Sequence, residues 1–186
     1  MGYLFAGAFL IFLDFTINLG ESITIGLLPD FIGYIFLVRG LRELQKESKR
    51  FGMLTPFCSV MTVVSLIVWI FDLLGFNQTL PELLVKIVGI ICNAAPIIIF
   101  YFIIQGIKEM EWVHQMKFNA DKLDRAWLIN MLFTAATLIQ GILGGIALAA
   151  LTLPLVIGVL ASGVYFLITL YQSKEMYEKA TRNVVL

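Results

Sequence analysis

The sequence predicts an all-α membrane protein, a bundle of six transmembrane helices built as three tandem helical hairpins. Three observations predict it. Hydrophobic residues fill 60% of the 186 positions and charged residues only 14%, with a mean hydropathy of +0.92, whereas soluble domains are about 45–50% apolar. A chain this short cannot bury so much apolar surface in a core of its own, so lipid is the expected solvent. The apolar residues also fall into long runs, and twelve of the 13 Lys and Arg lie at alternate ends of those runs. One membrane domain, residues 1–186, is expected.

The elements follow in chain order, taking about 20 mostly apolar residues per spanning helix. Residues 3–19 form the first expected span and 23–41 the second, with Ser22 available as its cap. Pro29 falls inside the second span and predicts a kink. The alternative starts that helix at Pro29, with 22–28 as a partly inserted loop. It leaves only nine residues between Pro29 and Arg39, so the kinked span is preferred. The charges of 39–50 then sit on a solvated extension of the same helix. The third span is 57–76 and the fourth 83–107, the latter introduced by the capping box Thr79-Leu80-Pro81-Glu82. Lys86 stands four residues after Glu82, a favourable ion-pair spacing, and Pro96 predicts a second kink. Asn119 or Asp121 can cap the approach to the fifth span.

The stretch 126–171 carries no charge over 46 positions. As one helix it would be roughly 69 Å long, about twice the hydrocarbon core, so it must fold back. Thr152–Pro154 is the expected corner, because Pro suits the first turn of a new helix.

Basic residues orient the bundle. Five follow the second span, four lie between the fourth and fifth, and three follow the sixth; Lys86 is the exception. The positive-inside rule then places both termini in the cytoplasm. In the loop 108–125, Trp112, Val113, Met116 and Phe118 among charges suggest a segment at headgroup level.

An internal repeat supports three hairpins. Arg42-Glu43-Leu44, Lys108-Glu109-Met110 and Lys174-Glu175-Met176 are each 66 residues apart, and Gly40 and Gly106 precede the first two at equal offset. Ile11-Phe12-Leu13-Asp14 is echoed by Trp69-Ile70-Phe71-Asp72. The hairpins are approximately 3–44, 57–110 and 126–176, inserted the same way. Parallel repeats occur among transporters without proving transport.

The candidate binding residues are Asp14, Asn18, Glu21, Asp30 and Asp72. Asp14, Asn18 and Glu21 fall at i, i+4 and i+7, one helical stripe opening outward. Asp30 stands nine residues after Glu21, at a depth similar to Asp14. Asp72 precedes the next outer turn by five residues. Asn93 and Gln140 lie nearby and complete an expected polar layer. A charge facing lipid costs about 2.5–3.5 kcal/mol on insertion scales, so these side chains should face the interior or water. Gly26, Gly33 and Gly40 share a face with Asp30 and Leu37, which points Asp30 at a close helix contact. Such acids suit an ion, proton or substrate site; the plainer role is a hydrogen-bonded pair that fixes packing.

Other chemistry is poorly represented. A net charge of zero argues against nucleic acid. His114 is the only histidine, and Cys58 and Cys92 stand 34 residues apart, so neither a metal centre nor a cofactor is expected. HExxH, GxSxG and P-loop motifs are missing, and no enzyme is expected. No basic residue precedes the first apolar run, so no cleaved signal peptide is expected, and Gly2 lacks the Ser or Thr of a myristoylation pattern.

Ile17-Asn18-Leu19-Gly20 followed by Leu27-Leu28-Pro29-Asp30-Phe31-Ile32-Gly33-Tyr34-Ile35 resembles a pattern in a small, uncharacterised multi-pass membrane protein family of Gram-positive bacteria, over about positions 10–50. The resemblance implies a bacterial inner membrane and brings no activity with it. The leading expectation is a small transporter or permeation protein with an outward-facing acidic site, its partner the lipid bilayer. The runner-up is a non-catalytic accessory, regulatory or substrate-capturing subunit. There the glycine faces would bind another membrane protein or a second copy of the chain.

Overall fold

The computed structural model describes residues 1–12, 16–18, 24–26, 29–76, 80–143 and 146–184. They form α1 (Gly2–Phe12), β1 (Thr16–Asn18), β2 (Thr24–Gly26), α2 (Asp30–Leu44), α3 (Lys49–Leu73), α4 (Glu82–His114), α5 (Ala120–Leu143) and α6 (Ile146–Val184). Among the described residues the architecture is helical, with six helices and one ribbon of two three-residue strands. Three of the helices are long and apolar enough to cross a membrane: α3, α4 and the Leu151–Arg182 part of α6.

The first two expected spans are therefore corrected. α1 has 11 residues, about 16 Å at about 1.5 Å per residue, roughly half of a hydrocarbon core. The chain then pairs Thr16 with Gly26, Ile17 with Ile25 and Asn18 with Thr24 as an antiparallel ribbon. β-Branched residues give the physical reason, since Thr16-Ile17 and Thr24-Ile25 favour extended backbone. Pro29 does not kink a helix. It precedes α2 in extended conformation, φ −63° and ψ 128°, and its carbonyl accepts from the Ile32 amide at 3.0 Å. The start at Pro29, the less favoured alternative, is the one adopted.

Two further boundaries move. The extension of the second span stops at Leu44, and α3 begins at Lys49 rather than residue 57. Ser48 explains the break: its hydroxyl accepts from the Arg50 amide at 3.2 Å and caps α3. The corner of the long apolar stretch is not at 152–154. α6 begins at Ile146 and carries Pro154 in its interior. Gly144 and Gly145, which separate α5 from α6 in sequence, lie outside the described residues, as do Ser22, Asn77 and Thr79.

The chain divides into two compact units, Met1–Gly106 and Ile107–Leu186. In the first, α2 packs closely on both α1 and α3. The glycine stripe makes this approach possible. A Cβ at Gly33 would lie 2.6 Å from Ile11 Cγ1, and one at Gly40 would lie 2.6 Å from the Leu4 amide nitrogen. Leu4, Ala8, Leu37 and Leu41 are fully buried along this seam. α4 joins through larger side chains. Phe12 meets Phe100 at 5.2 Å between ring centroids, and the Phe51 ring fills the space over Gly106.

In the second unit, α5 packs on α6. Asn130 Nδ2 donates to Ser162 Oγ at 3.1 Å, both residues buried, and the Phe133 ring lies against Gly158. Glu111 closes the turn into α5, its Oε1 accepting from the amides of Phe118 at 2.5 Å and Ala120 at 3.0 Å. This carboxylate takes the capping role expected of Asn119 or Asp121. Asn119 instead turns the chain with φ at 62°, and Lys108 bridges to Asp124 at 2.7 Å.

Candidate functional site

The site is built around the start of α2. Pro29 cannot continue a helix backward, so Asp30 becomes the first helical residue and stands in the first turn. The unsatisfied amides there favour a carboxylate. Asp30 Oδ1 is nonetheless sealed from solvent. The next residue, Phe31, meets Trp69 of α3 edge-on, with centroids 5.7 Å apart at 63°. Trp69 Nε1 is itself buried and has no hydrogen-bond partner among the described residues. One helical turn after Asp30, Tyr34 is 1% exposed.

Asp72 arrives from the opposite direction. It stands in the last turn of α3, and its carbonyl accepts from the amide of Gly75, whose φ of 69° ends the helix. Its side chain is half-buried and lines a cleft of about 490 Å³ between α3 and α4, with Cys92 on the facing wall. Both carboxylates, Asp30 and Asp72, act electrostatically on the Cys92 thiol. Tyr34 is in turn within electrostatic reach of Asp30, Cys92 and Cys58. Three helices thus bring two acids, a phenol and two thiols within electrostatic reach of one another in the first unit.

Of the five expected site residues, Asp72 lines the cleft together with Cys92, and Asp30 stands at the start of α2 within electrostatic reach of that thiol. Asp14 and Glu21 lie outside the described residues. Asn18 is placed only by its backbone, opposite Thr24 in the ribbon, so a helical stripe of Asp14, Asn18 and Glu21 is not formed. Asn93 is exposed and donates to the carbonyl of Gly89 in its own helix at 2.8 Å. Gln140 donates to Thr152 within the second unit. Among the described residues, no group of three or more His, Cys, Asp or Glu is placed to hold a metal ion.

Sequence reasoning missed Tyr34 and Asn130. Tyr34 could have been found: a tyrosine at i+4 from an acid inside an apolar run shares its face. Asn130 was also legible as an isolated amide in the uncharged stretch, where burial requires a partner. The dipoles complete the electrostatics. The amino end of α2 favours the anion at Asp30, and the carboxyl end of α3 adds negative potential beside Asp72, favouring a nearby cation.

No family model matches the chain, and no curated protein or solved structure shows significant similarity to it.

Proposed function

We propose that the chain is a small multi-pass transport or permeation protein of a bacterial cell membrane. Both termini are cytoplasmic, and an acidic site includes Asp30 and Asp72, with Asp14, Asn18 and Glu21 assigned to it by sequence position. The observation that carries this reading is the buried Asp30 carboxylate oxygen at the start of an interrupted apolar segment. Ionisable groups are costly inside an apolar bundle and are kept there chiefly for ions, protons or substrates. Extended backbone at membrane depth is tolerated where protein or a water-filled cavity satisfies its amides and carbonyls. Short, Pro-interrupted apolar segments mark the binding site in many transporters for this reason.

The glycine contacts favour transport over an accessory role. Gly33 and Gly40 are occupied by α1, Gly106 by Phe51 and Gly158 by Phe133. At these four glycines the small-residue face that would have received a partner is filled from within the chain.

The test is flux in proteoliposomes under a pH or ion gradient. Wild-type protein should carry a gradient-dependent flux, and Asp30→Asn should lose most of it while keeping a wild-type elution profile and Tm. Retention of full flux by a folded Asp30→Asn protein would remove Asp30 from the site. A wild type that carries no flux and purifies only with a partner would favour the accessory role.

A further inference from the structure

We propose that the cleft between α3 and α4 admits the substrate of this site, and that the substrate is a hydrophobic monocation. The proposal rests on reading the chain as a transport protein with an acidic site; the substrate class comes from the cleft.

Two helical stripes face one another without meeting. α3 presents Val64, Ile67, Val68 and Phe71, and α4 presents Leu84 and Val88. The space between them, about 490 Å³, is within the about 300–1,000 Å³ of small-molecule sites. Gly89 lies in the wall, and a Cβ placed there would meet nothing within 4 Å. This glycine is unlike Gly33 and Gly40, since no neighbour uses the room it leaves. Ile67, Phe71 and Leu84 are substantially exposed, so the cleft opens sideways between the two helices.

Among the described residues of the lining, Asp72 is the only Asp, Glu, Lys, Arg or His. Lys86, the cation nearest in sequence on α4, does not line the cleft and pairs with Glu82 at 2.6 Å. One carboxylate at the carboxyl end of a helix, among aliphatic and aromatic walls, discriminates between ligand classes. Within the cleft, a small inorganic cation would meet one carboxylate among the described lining residues, short of the several oxygens such an ion requires. An anion is repelled. A neutral acyl chain makes no use of Asp72. A cation with a diffuse charge and an apolar surface fits both features, because its desolvation is cheap and the walls cover the rest.

The experiment uses the full chain in nanodiscs of phosphatidylcholine. The probes are tetraphenylphosphonium and tetraphenylborate, nearly identical in shape and opposite in charge. Saturable binding of the cation, weakened by acidification, is expected, with none for the anion. Asp72→Asn should weaken cation binding by about tenfold or more. Gly89→Leu, which fills the cleft and leaves Asp72 in place, should do the same without lowering Tm. If Asp72→Asn fails to fold, Gly89→Leu and the two-probe comparison still decide. Equal binding of both probes, or cation binding unchanged in a folded variant of either kind, would overturn the proposal and leave a slot for lipid chains. If the cation does not bind while Asp30-dependent proton or inorganic-ion flux persists, this inference fails and the transport reading stands. If wild type shows no flux, the transport reading itself fails.

Discussion

Asp30 and Asp72 hold the same chemical group at opposite poles of two helices, and Trp69 lies between them in sequence and close to the first in space. Its indole N–H has no partner among the described residues, and a buried donor without one costs about 1–3 kcal/mol. Trp69→Phe keeps a ring against Phe31 and removes that donor. The expected outcome in detergent is an unchanged or raised Tm, measured by thermal unfolding. A fall of several degrees would mean the N–H is engaged. Asp30 stood out in the sequence as a candidate because a lone acid in an apolar run has few innocent uses. Its environment did not: the Trp69 ring of α3 packs on the neighbouring Phe31 and the Cys92 thiol of α4 comes within its electrostatic reach only through tertiary structure, which spacing within α2 does not encode.

At the level of elements, close helix approach was written in the sequence and helix length was not. The heptad spacing of Gly33 and Gly40 marks the seam with α1 correctly. Gly40→Ala should therefore force the helices apart and destabilise by about 1–3 kcal/mol, read by denaturant unfolding in mixed micelles. Gly52→Ala is the control, because its added Cβ would meet only Gln45 Cβ, at 3.9 Å. There the gain in helix propensity, up to about 1 kcal/mol, should dominate. Equal losses at both positions would show that the α1–α2 contact is not the cause. The boundaries that shifted share one explanation. Hydropathy reports where lipid is tolerated, whereas local chemistry decides where helices end. Thr-Ile pairs extend the chain, Pro29 and Ser48 start helices, and Pro154 is carried inside α6.

For the whole molecule, the asymmetry of basic residues makes the sharpest expectation. In a background with Cys58 and Cys92 replaced by Ser, a cysteine at Gln78 should react with an impermeant maleimide added outside intact cells. A cysteine at the exposed Lys46 should react only after permeabilisation. Ser48 is a poorer reporter, being 3% exposed. Reversed labelling would invert the topology. The number of crossings was poorly legible, since the first apolar stretch is long enough by composition yet gives a helix of only 11 residues.

That short first helix bears on how the protein enters a bilayer during synthesis. At about 16 Å, α1 cannot bridge the core on its own, and its buried face is completed by Gly33, Leu37 and Gly40 of α2. The insertion machinery would then have to retain α1 until α2 emerges and release the two together. Nascent chains halted after residue 28 should be extracted from membranes by alkaline carbonate, whereas chains extended through residue 44 should resist. Resistance at both lengths would mean that the leading segment integrates unaided and rearranges into its short helix afterwards.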